Sequence, residues 1–307
     1  MNLTLKRFSF RAMSSYCEIQ IYDESRINAK NITRRLTSEI SRIERKYSSD
    51  IQQSFLSEIN YSAGNKFGIK IDKETKSLFD HALDCFEKSG GLLDITIGVL
   101  NKIWNFENHK TATQSEIKYL LPFIGLHKLK WRKSRLYLPL NMSIDFGPIV
   151  KEYAADTAVK LARHLGVEHG LINLGGDFAV IGPQPNNKPW TVGIADPKVP
   201  NSLLAKMDIL EGGVTTSGDY TNSFVFEGKH YTPILNPKTG LPCRGLRAAS
   251  VLADLCTTAG SLSKTALLLG EQQGLHWLKD EGISFAAMDK TGKMEGTGIQ
   301  IEQSASK

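Results

Sequence analysis

Apolar and polar positions alternate with a period of two over residues 16–22, which predicts a strand, and the spacing then changes. Ile27, Ile32, Leu36, Ile40 and Ile43 recur near every third or fourth position within 26–46, which predicts a charged surface helix. A second amphipathic helix is predicted over 73–88, stopped by Gly90 and Gly91. Downstream, 136–144 is strand-like, 153–165 helical, and 171–181 a strand interrupted by its glycines. Residues 190–194 and 223–226 suit short strands, 258–269 is the last well-defined helix, and 275–279 follows it. Asn186–Pro189 and Asn236–Gly240 are turns by composition. Strands and helices in mixed order, without repeats, predict an α+β fold.

Composition narrows the classes. The 307 residues, 41% of them hydrophobic, suffice for a sizeable core in one domain or two. A net charge of +6 without a long basic run argues against nucleic acid, and Lys128–Lys133 is a solvated basic patch. Cys17, Cys85, Cys243 and Cys256 have neither CxxC nor finger spacing, so unpaired thiols in a reducing compartment are expected. The first thirteen residues carry Lys6, Arg7 and Arg11 and no export-type apolar run, and no later window is of membrane-spanning length. No lipidation signal precedes Cys17, so a cytoplasmic protein is expected.

Candidate chemistry concentrates in residues 144–156, with Asn173-Leu-Gly-Gly-Asp177 two dozen residues on. A strand end, a Gly-Pro turn and a helix start with Lys151 near it make a seat for phosphate, because a helix N-terminus carries partial positive charge. Histidines 81, 109, 127, 164, 169, 230 and 276 are scattered, and none forms an evident nucleophile–base pair.

Five landmarks occur in order: Ala12-Met13, Gly91–Gly98, Asp145–Asp156, Asn173–Asp177 with Pro189–Pro197, and Thr216–Asp219 with Ile234–Gly240. Each is weak alone, but their conjunction resembles the ApbE family, the FAD:protein FMN transferases, from about residue 10 to about residue 270. The resemblance implies one T-fold-related, two-lobed domain over 1–307, with 271–307 as its C-terminal extension. It also implies cleavage of FAD with Mg²⁺ assistance, transfer of FMN to a threonine or serine of an acceptor flavoprotein, and release of AMP. Matched onto this chain, the FAD-holding positions are Met13, Tyr47, Leu92, Leu93, Asp94, Asp145, Lys151 and Ile234.

Two departures stand out. The family places an Asp and, four residues on, a Thr on its late helix as Mg²⁺ ligands, where this chain has Gly260 and Lys264. Mg²⁺ requires oxygen donors, which neither side chain supplies. A backbone carbonyl at Pro148 remains, and a one-residue shift would present Ser261 and Thr265 instead. The family's Tyr-His-His-Ile-Leu-Asp-Pro run is here Tyr231-Thr-Pro-Ile-Leu-Asn-Pro237, replacing a histidine by Pro233 and an aspartate by Asn236. Transfer of FMN is therefore weighed against a catalytically silent FAD-binding protein in which Lys264 stands in for Mg²⁺.

Overall fold

The computed structural model describes residues 3–195, 202–219 and 223–301. Asp196 and Pro197 of the fourth landmark, and residues 302–307 of the C-terminal extension, lie outside the described residues.

The chain opens with the hairpin β1 (Thr4–Ala12) and β2 (Ser15–Asp23), followed by α1 (Arg26–Tyr47) and α2 (Phe55–Tyr61). Next come β3 (Ile69–Lys70), α3 (Lys73–Lys88), α4 (Gln114–Leu120), β4 (Lys130–Arg132), β5 (Arg135–Tyr137) and α5 (Val150–His164). Strands β6 (Gly170–Leu174), β7 (Asp177–Gly182), β8 (Trp190–Ala195), β9 (Leu203–Ile209) and β10 (Gly213–Gly218) follow. The hairpin β11 (Phe224–Phe226) and β12 (Lys229–Tyr231) leads to β13 (Ala248–Ala253), α6 (Cys256–Leu269) and α7 (Glu271–Asp280). Strands β14 (Phe285–Met288), β15 (Met294–Thr297) and β16 (Gln300–Ile301) close the described chain.

An eight-stranded sheet runs β1-β2-β6-β7-β10-β13-β14-β15, every neighbouring pair antiparallel. Its inward residues, among them Ile19, Ile21, Ile172, Leu174, Ala249 and Val251, meet α1, α5 and α6 in one large core. The other face is covered around Trp190, Val192, Met207 and Val214. One face against helices and one against a small sheet is the α+β arrangement expected of this element order. No described helix is long and apolar enough to cross a membrane.

Most expected elements form, with instructive exceptions. The 136–144 strand stops at Tyr137: Pro139 has no N–H to donate and Asn141 takes φ 67°, yet Leu138, Met142 and Ile144 are still buried. The apparent alternation there is core packing by a loop. Ile27, counted on the apolar stripe of α1, is 75% exposed. Helix α5 begins at Val150, three residues earlier than its spacing suggests, which makes Lys151 its second residue.

Candidate functional site

Helix α6 is set in place by α5. The α6 N-cap residue, Leu255, offers no side-chain bond, and the exposed backbone donors are taken by Asp156 of α5. Asp156 Oδ1 accepts from Cys256 N–H and Oδ2 from Thr257 N–H, each at 2.9 Å. This is the work of a capping carboxylate done from a neighbouring helix. Burial nevertheless holds the Asp156 carboxyl above its ordinary range, against these bonds.

One helical turn before Asp156 stands Glu152, which is buried and pairs through Oε1 with Lys264 of α6. A turn of α6 therefore carries Gly260 opposite Glu152 and Lys264 bonded to it. Beside them, Lys151 Nζ lies 2.8 Å from Oδ2 of the buried Asp177. That contact is an ion pair without hydrogen-bond alignment, since neither Asp177 oxygen has a hydrogen-bond partner among the described residues; nor does Glu152 Oε2. Burial first, then repulsion from Glu152, pushes the Asp177 carboxyl up to about 6, against the pull of Lys151 and Lys264.

A cavity of about 310 Å³ opens at this place, within the size range of small-molecule sites. Leu92, Leu93, Asp94, Asp145, Pro148, Pro233, Ile234 and Lys264 line it, so eight positions singled out from sequence converge on one space. Asn101 and Phe106 also line it and were not foreseen. Asn101 donates to Asp145 Oδ2 at 3.0 Å, while Asp145 Oδ1 accepts from Gly147 N–H at 2.8 Å, an Asx turn that shapes the segment before α5. Phe106 stacks on Trp104 with ring centroids 5.9 Å apart and presents an aromatic wall.

Other expected site residues lie elsewhere or do other work. Tyr47 is not in the cavity: it is core, its hydroxyl 2.9 Å from Thr75 Oγ1 and its ring edge-on to Phe146. Met13 sits at the β1–β2 turn, where Met13 and Ser14 both have positive φ as a two-residue hairpin of this type demands, and its N–H donates to Glu44 at 2.6 Å. Asp94 lines the cavity but turns its carboxylate inward, accepting from Thr96 N–H, Thr96 Oγ1 and Leu126 N–H. These bonds fix the 92–97 turn. Asn236 accepts from Lys238 N–H at 2.9 Å within its turn, a task an amide oxygen performs as well as a carboxylate. Its replacement of an aspartate preserves the turn.

The Ser261 and Thr265 alternative is overturned by the helix's rotation. Both residues line a different cavity on another face of α6, of about 730 Å³, where Ser261 Oγ donates to Thr257 O and lies 3.2 Å from His81 Nε2. His81 also lies 3.4 Å from Cys85 Sγ, a contact its scattered place in the sequence did not reveal. Burial lowers the imidazole's proton affinity and raises the thiol's, so both are held neutral.

The residues in the first cavity do not fit a divalent cation. Lys264 in its lining brings an ammonium, and behind it Gly260 has no side chain while the buried Glu152 and Asp177 are each paired with a lysine. Among the described residues no group of three or more His, Cys, Asp or Glu is placed to hold an ion.

The fold and this cavity define a flavin-transferase-like architecture, and the comparisons agree. The ApbE family matches residues 13–287, and the chain belongs to that family. It is 28% identical to the ApbE protein of Thermotoga maritima, whose crystal structure superposes with a TM-score of 0.89 over 96% of this chain and 97% of that one. The FAD:protein FMN transferase of Buchnera aphidicola is 27% identical, covering 94% of this chain and 87% of the relative. That of Vibrio cholerae serotype O1 is 26% identical over 67% of this chain, and the match spans 64% of the relative's length.

Proposed function

We propose that this protein binds FAD in the cavity between the 92–94 turn and the 145–151 segment and transfers FMN to a threonine or serine of an acceptor flavoprotein. One observation supports the reading: Leu92, Leu93, Asp94, Asp145 and Ile234, from three separate parts of the chain and assigned to the flavin nucleotide by the family resemblance, line one cavity. Leu92, Leu93 and Ile234 supply apolar contact, Phe106 an aromatic face, and Asp145, fixed by Asn101 and Gly147, a carboxylate for polar groups. Lys264 at the cavity and Lys151 of the 145–151 segment, each paired with a buried carboxylate, are the ammonium groups offered to the pyrophosphate. Met13 and Tyr47 support the site from outside, through the hairpin turn and the core.

In the reaction the acceptor hydroxyl oxygen bonds to the FMN phosphorus as the P–O bond to AMP breaks. AMP leaves with the bridging oxygen, and the hydroxyl proton passes to solvent or to a phosphate oxygen. Fixed cations beside the pyrophosphate stabilise the charge that gathers on the leaving group. Mg²⁺, the family's expected ion, would supply Lewis-acid activation, but Gly260 and Lys264 give it no seat and no step is assigned to it here. The four unpaired, buried cysteines suit a reducing cytoplasm. Residues 1–307 act as a single unit in this reading.

A second reading is favoured by Pro233 and Lys264 in the cavity wall: the protein holds FAD without turning it over. Incubation with FAD and a threonine-bearing acceptor, followed by mass spectrometry of the acceptor and chromatography for AMP, separates the two. Covalent FMN with stoichiometric AMP supports transfer, and bound FAD without either supports the silent form. Failure to bind FAD removes both.

A further inference from the structure

The missing side chain at Gly260 is not an empty place. A Cβ on Gly260 would lie 2.5 Å from Glu152 Oε1, 2.7 Å from its Cγ and 2.8 Å from its Cδ. The Glu152 carboxylate, reaching across from α5, fills the volume that any larger residue at 260 would need. Its Oε1 then holds Nζ of Lys264, one turn further along α6. Glu152 is 2% exposed at its side chain and Lys264 18%, so the acid lies behind and the ammonium lies at the cavity wall. Lys151 and Asp177 repeat the pattern, with side chains 28% and 2% exposed. Two acids balance two lysines, and a divalent cation added here would bring two uncompensated positive charges into a partly buried site. A phosphate arriving at the cavity meets Lys264 in its wall, held from behind by Glu152.

We infer that Glu152, Gly260 and Lys264 act as one coupled unit, a built-in cation site in which Glu152 orients Lys264 to bind nucleotide phosphate without a divalent ion. Lys264 is the phosphate-binding residue and Glu152 a positioning residue. The inference deepens the nucleotide reading of the cavity and rests on it for the identity of the ligand. Gly260 leaves room for the carboxylate between the helices, and any larger residue there would require the Glu152 side chain to move.

The test has one arm that needs no nucleotide. Melting of the wild-type protein in EDTA and in millimolar MgCl₂ is expected to give the same midpoint, and a rise of several degrees with Mg²⁺ would overturn the inference whether or not FAD binds. In the second arm, calorimetric FAD affinity should be equal within about twofold in EDTA and Mg²⁺. Lys264→Met should weaken it about ten- to a hundredfold, the size of one charge-assisted contact, and Lys264→Arg should recover most of the loss. Wild-type affinity in Lys264→Met would overturn the assignment. The third arm addresses Glu152: Glu152→Gln keeps the volume and removes the charge, so FAD affinity should depend more steeply on salt, because a negative charge opposing the phosphate is gone. A salt dependence identical to wild type would make Glu152 a packing residue only. If the wild type fails to bind FAD, the nucleotide reading falls, and the Mg²⁺ melt still decides the ion question.

Discussion

Lys151 Nζ and Asp177 Oδ2 stand 2.8 Å apart, and the lysine is the counter-charge of a carboxylate with a 2% exposed side chain. Sequence alone assigns Lys151 to the nucleotide. The structure gives it a prior duty, because a buried carboxylate without its partner is costly.

Lys151→Ala is therefore expected to destabilise the fold as well as weaken FAD binding. Breaking a buried pair by removing one partner costs roughly 3–5 kcal/mol, and the partial exposure of Lys151 puts this case toward the lower end. The double variant Lys151→Met, Asp177→Asn should recover much of that loss. Chemical denaturation of the three proteins checks it, and a double variant no more stable than Lys151→Ala would contradict the pairing.

Asp177 also makes stability depend on pH in an unusual direction. Its carboxyl is raised from an ordinary 3.8 to about 6 by folding, so between those values the folded state holds a proton that the unfolded state has released. This contribution is fully present below about 4 and is lost as pH rises through about 6. Asp72 and Glu74, whose carboxyls are lowered by Lys46, Arg42 and hydrogen bonds against the cost of burial, act oppositely. The comparison must then be with Asp177→Asn: the wild type should lose stability relative to the variant between pH 4 and 6. A constant difference across that range would rule out the raised carboxyl.

The cavity wall offers a separate test. Phe106 is the aromatic surface closest at hand for a flavin ring, and a stacked aromatic pair contributes about 0.5–1.5 kcal/mol beyond its buried area. Phe106→Ala should weaken FAD binding at least severalfold with little change in melting temperature, whereas Phe106→Tyr should bind as wild type. Equal FAD affinity in Phe106→Ala would take the ring out of the site.

How much of this was legible beforehand follows from the range of each interaction. Helix 73–88 was readable to the residue because its stripe, its Asp72 cap and its terminal glycines are all local. Strand β1 escapes the periodicity, although Phe8, Phe10 and Ala12 alternate, because Lys6 stands on the same face and shortens the apolar run. Leu92, Leu93, Asp145 and Ile234 were placed in the site by family resemblance, and the fold brings them together. Glu152 and Asp156 lie in the 144–156 segment, where nothing local gives either a role. A charged residue on an amphipathic helix looks like surface, and only the approach of α6 shows that this face is buried. The one local hint was Gly260, a glycine inside a helix, which costs about 1 kcal/mol relative to alanine and so calls for a packing reason. Tyr47 lies in the core and outside the cavity lining, because spacing along the chain does not distinguish a core aromatic from one facing a cavity.

The occupied space at Gly260 changes what is needed to recover a metal-dependent protein. Restoring only the family's side chains, with Gly260→Asp and Lys264→Thr, drives a new carboxylate into Glu152 and leaves two acids without a cation. That double variant is expected to melt well below wild type in EDTA. Adding Glu152→Ala makes room and removes one acid, so the triple variant should regain stability and gain a Mg²⁺-dependent rise in melting temperature that the wild type lacks. No Mg²⁺ response in the triple variant would show that the family's ligand positions are not superimposable on 260 and 264.

The final expectation concerns rate. An ammonium at Lys264 supplies charge beside the departing phosphate but not the Lewis-acid activation of a bound ion. Removing one preorganised stabilising contact of this kind typically costs about two to three orders of magnitude. Pro233, in the wall where the family has a histidine, offers no side-chain base to take the acceptor's proton. FMN transfer by the wild type is therefore expected to be slow and indifferent to EDTA, and the triple variant Glu152→Ala, Gly260→Asp, Lys264→Thr to be faster in Mg²⁺ by a factor that chelation abolishes. Single-turnover measurements of AMP release, with mass spectrometry of the acceptor to count covalent FMN, give both rates. Rapid, chelator-sensitive transfer by the unaltered chain would show that an ion is bound by residues other than those at 260 and 264, and would return Lys264 to a purely structural pair with Glu152.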